Sequence, residues 1–129
     1  MEASLKLKEI SYIHSEAYTG GELKHGPISL IEEGTLVIAI AMYRKLFDKM
    51  MSNVKEVKAR GAVVLGILTE DKKGAETEVD HAFYVPNIAD FMLPSLAIIP
   101  LQLFAYYVAS QKGCDIDKPR NLAKSVTVE

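Results

Sequence analysis

The chain has 129 residues, 49% of them hydrophobic and 25% charged, with 17 acids against 15 bases and a net charge of −2. That length fits one hydrophobic core rather than two domains. Charges of both signs are mixed without long same-sign blocks, which excludes a nucleic-acid footprint and leaves an anionic small ligand open. Cys114 is the single cysteine and cannot close an internal disulfide, so it is expected to be a free structural thiol. With no basic-then-apolar leader at the start, the expected location is cytoplasmic.

Residues 3–15 place Leu7, Ile10, His14 and, just beyond, Ala17 near helical spacing with lysines and Glu9 between them, which predicts an amphipathic helix almost from Met1. "YTGGELKHGP" is punctuated by Gly20-Gly21 and Gly26-Pro27 and reads as a loop, with a short strand near residues 16–18. "TLVIAIAM" at 35–42 is a continuous apolar run, the pattern of a strand buried on both faces of a parallel sheet.

"LFDKMMSNVKEVKARG" at 46–61 reads as a helix with a stripe of Leu46, Met50, Val54 and Val57, ended by Gly61. "AVVLGILTE" at 62–70 is a second buried strand, and "HAFYVP" at 81–86 is a short third one closed by Pro86. A long helix is expected from about residue 94 to 112, with Gly113 as its stop. The apolar run at 91–109 is broken by Pro94, Ser95, Pro100 and Gln102, so it is read as a buried helix and no membrane partner is expected. The alternation predicts an α/β fold with a mostly parallel sheet, although the sheet is thin and no strand precedes the first helix.

Candidate chemistry is sparse. Lys6 and Glu9 share a helical face at i and i+3, the spacing of a surface ion pair or of a carboxylate acid/base beside a cation. His25 sits in the polar loop between Lys24 and Gly26-Pro27. Glu22 to His25 has the E-x-x-H form of di-metal bundles, but the flanking glycines and proline argue against a helix and no second copy exists. Metal binding is set aside and no cofactor is expected. His14 and His81 are read as structural. Lys124 becomes a Schiff-base nucleophile only if its ammonium is desolvated or its pKa lowered.

In chain order, "LKLKEISYIHSEAY", "GELKHGPISLI" and "IPLQLFAYYVASQKGCDIDKPRNLAKSVTVE" resemble the C-terminal end of the isomerizing glutamine–fructose-6-phosphate aminotransferase family. The resemblance implies a sugar isomerase (SIS) fold: a three-layer, flavodoxin-like parallel sheet flanked by helices. Here residues 1–117 would be an incomplete second SIS subdomain and residues 118–129 an irregular active-site tail. It implies Glu9 as the acid/base that moves a proton between C1 and C2 of the sugar, with Lys6 assisting. It implies His25 as the ring-opening histidine supplied across a dimer interface. Lys124 would form the Schiff base with fructose 6-phosphate before ammonia replaces it, yielding glucosamine 6-phosphate, and Leu122 and Ala123 would line the sugar site.

The glutaminase part, the first SIS half with its phosphate-binding loop, and the strand ahead of the first helix are not matched by any segment of this chain. A truncated chain that associates with itself or another chain, and is inactive alone, is therefore expected. The alternatives are a non-catalytic sugar-phosphate-binding SIS module and a related sugar-phosphate deglycase.

Overall fold

A computed structural model describes residues 1–120, apart from the Glu76 side chain. Leu122, Ala123 and Lys124 lie outside the described residues. The chain divides into two compact units, Tyr18–Ala97 and a unit of Met1–Ala17 with the chain from Ile98 onward.

In the Tyr18–Ala97 unit, the β-branched runs form three parallel strands: β1 (Leu36–Ala41), β2 (Val63–Thr69) and β3 (His81–Val85), in the order β1-β2-β3. Helix α2 (Phe47–Lys58) makes the crossover from β1 to β2. It buries Met51, Val54 and Val57 in one cluster with Ala39, Ala41, Val64 and Leu68. Each fully buried aliphatic side chain here contributes about 1.5–3 kcal/mol.

The expected stripe of α2 shifts at its start. Leu46 lies in the 3₁₀ turn ahead of the helix and is exposed, while Met51 takes the buried place. The strand expected to be buried on both faces is buried on one. Ala39 and Ala41 face the α2 cluster, whereas Leu36 and Ile40 on the opposite face are 50% and 45% exposed, as is Phe83 of β3 at 45%. Alternate strand residues point to opposite faces, so this apolar exposure is confined to one side of the sheet. Among the described residues, β1 has a strand neighbour on one edge only.

Gly61 ends α2 as expected, with φ of 90°. Its N–H bonds to the Lys58 carbonyl and the next N–H, from Ala62, reaches back to Val57, closing the last turn. Its carbonyl accepts from Gly34, and a Cβ here would lie 2.8 Å from the Glu33 Cα, so both the conformation and the close approach require glycine.

Between β2 and β3, Asp80 ties the sheet to α2. Its carboxylate accepts from the Val64 N–H at 2.7 Å and from the Lys58 ammonium at 2.9 Å. The Val64 bond first, then Lys58, lowers the Asp80 pKa below the ordinary carboxylate value. A depressed folded pKa adds stability that is present above the unfolded value and is lost as pH falls through the folded one. Asp80→Ala is therefore expected to lower Tm at neutral pH, and the gap from the parent should close as pH is taken below 3.8 in a Tm–pH series.

In the other unit, α1 (Glu2–Ser11) is shorter than expected and stops at Tyr12, which takes left-handed φ and ψ of 57° and 29° and caps Lys8 with its N–H. Left-handed backbone on a bulky residue costs on the order of 1–3 kcal/mol relative to glycine. His14 thus lies beyond the helix, and its side chain is 84% exposed rather than structural. The chain folds back on α1 through paired serines: the Ser4 hydroxyl donates to the Ser15 carbonyl at 2.9 Å and the Ser15 hydroxyl to the Ser4 carbonyl at 3.0 Å. No strand forms at residues 16–18.

Helix α3 (Leu93–Gln111) buries a stripe of Leu93, Ala97, Leu101, Ala105 and Ala109, each four residues from the last. It is not the wholly buried helix expected: Ile99, Leu103, Tyr106 and Tyr107 are 45–59% exposed. By length and composition Asp90–Gln111 is apolar enough to cross a membrane, with 22% of its most apolar window buried. Pro100 sits inside the helix without a backbone donor. Gly113 terminates it at φ 69°, with the Cys114 N–H reaching back to Ala109. Asp115 then accepts from the N–H groups of Asp117 and Lys118, a side-chain turn that redirects the chain.

Candidate active site

The helical spacing of Lys6 and Glu9 delivers their side chains to one face of α1, where the ammonium donates to a Glu9 carboxylate oxygen at 2.7 Å. The Glu9 side chain is 20% exposed and that of Lys6 36%. A second carboxylate, Glu2, stands 3.7 Å from the same ammonium, one turn earlier. The hydrogen bond to Glu9 is the main cause of a raised Lys6 pKa, opposed by partial burial and helped by the charges of Glu9 and Glu2. Lys6 therefore stays a cation at neutral pH, and the pairing is lost only as pH rises above its ordinary 10.5. The ammonium fixes the direction of the Glu9 carboxylate.

His25 belongs to the Tyr18–Ala97 unit. The segment read as a plain loop is instead two consecutive 3₁₀ turns, Leu23–His25 and Pro27–Leu30, hinged at Gly26 with φ of 147°. The first turn pairs His25 Nδ1 with the Glu22 carboxylate at 2.9 Å, and the imidazole remains 70% exposed.

Three contacts hold these turns on α2. Asn53 donates to the Gly20 carbonyl at 2.8 Å, Lys24 pairs with Glu56, and Leu23, Ile28 and Ile31 pack on the hydrophobic cluster. Asn53 and Glu56 were not singled out from the sequence. Asn53 lies 33 residues from its partner, a separation no local pattern reveals. Among the described residues no group of three or more His, Cys, Asp or Glu side chains is placed to hold a metal. The Glu22 carboxylate pairs with the His25 imidazole.

Parallel strands joined through a crossover helix define an α/β domain. The chain belongs to the SIS domain family, whose model matches residues 1–111 and so takes in α3 as a helix of the domain. It is 64% identical over its whole length to a glutamine–fructose-6-phosphate aminotransferase (isomerizing) of Clostridium acetobutylicum, and spans 21% of that relative's length.

Among solved structures, the C-terminal domain of glucosamine-fructose-6-phosphate aminotransferase from Francisella tularensis aligns with 91% of this chain and 33% of its own. The two share 41% identity with a TM-score of 0.81. A glucosamine-6-phosphate deaminase from Thermotoga maritima aligns with 97% of this chain and 35% of its own, at 33% identity and a TM-score of 0.75.

Proposed function

We propose that this chain supplies the acid–base face of the isomerase site of a glutamine–fructose-6-phosphate aminotransferase, acting together with the parts of such an enzyme that it does not span. The observation that carries this is the mostly buried, lysine-paired Glu9 carboxylate, found in a chain 64% identical to such an aminotransferase. On this reading His25 helps open the ring of fructose 6-phosphate, and the Lys124 amine condenses with the C2 carbonyl, releasing water. Ammonia then displaces the lysine to leave an imine at C2. The imine acidifies the C1 hydrogen, Glu9 moves that proton from C1 to C2, and the C1 hydroxyl proton passes to the nitrogen as the C1 carbonyl forms. The product carries an amine on C2 and an aldehyde at C1, glucosamine 6-phosphate.

Association with a second copy or with the rest of such an enzyme belongs to the same proposal. It is supported by the exposed apolar residues Leu36, Ile40 and Phe83 on one face of the sheet and Ile99, Leu103 and Tyr107 on α3, since contiguous apolar exposure marks interaction surfaces.

The test is to assay the pure chain, and the chain co-expressed with the preceding part of the Clostridium acetobutylicum relative, for glucosamine 6-phosphate from fructose 6-phosphate and ammonium salt. Product is expected from the assembly and not from the chain alone. An inactive assembly that is folded and binds the sugar phosphate would overturn the enzymatic reading in favour of a binding module.

A further inference from the structure

Glu22 and His25 are joined twice within one turn. The His25 N–H donates to the Glu22 carbonyl at 3.1 Å, and His25 Nδ1 stands 2.9 Å from a Glu22 carboxylate oxygen. Three residues complete a turn of a 3₁₀ helix, so side chains at i and i+3 stand directly above one another. Glu22 occupies the N-cap of this turn, yet its side chain makes no capping bond to the backbone. It is turned to the imidazole instead.

The turn is braced on both sides of the pair. Ahead of it, Asn53 of α2 donates to the Gly20 carbonyl at 2.8 Å, in a fit where a Cβ on residue 20 would lie 3.0 Å from the Asn53 amide nitrogen and 3.1 Å from Met50 Cε. Within it, Lys24 pairs with Glu56 of the same helix. Behind it, the Gly26 carbonyl accepts from the Ser29 N–H at 2.9 Å and from the Ser29 hydroxyl at 2.6 Å.

An ionised carboxylate can only accept, so the hydrogen between the two side chains sits on Nδ1. The neutral ring then carries its lone pair on Nε2, the nitrogen away from Glu22. Histidine side chains free in water prefer the other tautomer, with the hydrogen on Nε2.

We infer that Glu22 is a positioning residue that fixes the tautomer and direction of His25, so that Nε2 is the base that opens a cyclic ketose phosphate. This rests on the reading of His25 proposed above. Nε2 takes the proton of the C2 hydroxyl, the C2 carbonyl forms as the C2–O5 bond breaks, and the imidazolium returns the proton to O5. Between these steps the Glu22 carboxylate stabilises the imidazolium, as a carboxylate behind a catalytic histidine does elsewhere.

The test has two arms. In the full 129-residue chain with ¹⁵N-labelled imidazoles, His25 is one of three histidines and is assigned by its loss in His25→Gln. Its neutral ring should carry the hydrogen on Nδ1 in the parent and mainly on Nε2 in Glu22→Ala, with Tm and exchange of the His25 amide hardly changed. Glu22→Gln, which keeps an acceptor oxygen, should fall between the two.

In the assembled enzyme, fructose 6-phosphate is compared with 5-deoxyfructose 6-phosphate, which lacks the ring oxygen and cannot close. Glu22→Ala should lower kcat/KM roughly tenfold on fructose 6-phosphate, the weight of one hydrogen bond to a charged group, with the loss confined to that substrate. An equal loss on both substrates, or a parent His25 with its hydrogen on Nε2, would overturn the positioning role. A deep loss on fructose 6-phosphate in His25→Gln with none in Glu22→Ala would overturn Glu22 alone and leave the reading of His25 intact. Full activity in His25→Gln would overturn the reading of His25, and the role of Glu22 with it.

Discussion

Replacing Glu9 by Gln in the assembled enzyme is expected to lower kcat by roughly two to four orders of magnitude, the usual contribution of a positioned proton-transfer group. The amide keeps the size of the carboxylate and can still accept from the Lys6 ammonium, now 2.7 Å from Glu9, so the helix face should stay as it is. What it cannot do is carry a proton between C1 and C2. On the proposed reading fructose 6-phosphate is held by other groups, so KM should move far less than kcat. Steady-state kinetics with ammonium salt check both numbers. A kcat within a few-fold of the parent would assign the proton transfer to another group, and a large KM change with unaltered kcat would make Glu9 a binding residue.

Leu68→Ala should be the most damaging single change to the fold. Leu68 is fully buried on the central strand β2, within the cluster that joins the sheet to α2. Truncation of such a side chain costs about 2–5 kcal/mol, the spread depending on how far the surroundings collapse into the cavity. Small domains have only about 5–15 kcal/mol in total, so the variant should lose a large fraction of its stability. Urea denaturation followed by circular dichroism measures this directly. Loss below about 1 kcal/mol would mean that β2 is not the packed centre of the sheet.

The strands and the two long helices were legible because their patterns are local. β2 and β3 follow apolar runs that could be bounded to within a residue or two, and Gly61 and Gly113 marked helix ends where positive φ is required. The Lys6–Glu9 pair was legible for the same reason, since i and i+3 residues meet on any helix.

What escaped was non-local or chemically unmarked. Nothing at Tyr12 announces a left-handed cap, and the apolar spacing alone carries α1 on through His14. The 3₁₀ turns around His25 depend on Asn53 and Glu56 of α2, and the hydrogen bond from the Arg120 N–H to the Tyr12 hydroxyl joins residues 108 apart. The bare sides of α3 and β1 carry the pattern of buried ones, because an apolar run does not say which neighbours are present. Here the α2 cluster covers one face of the sheet while Leu36, Ile40 and Phe83 stand on the other.

The central claim is that Lys124 and Glu9 act on one sugar carbonyl. Its most direct test is borohydride trapping of fructose 6-phosphate in the assembled enzyme, followed by peptide mapping. The account predicts a single reduced adduct on Lys124, formed in the parent and in Glu9→Gln and absent from Lys124→Ala. An adduct that survives Lys124→Ala, or that maps to another lysine, would contradict it.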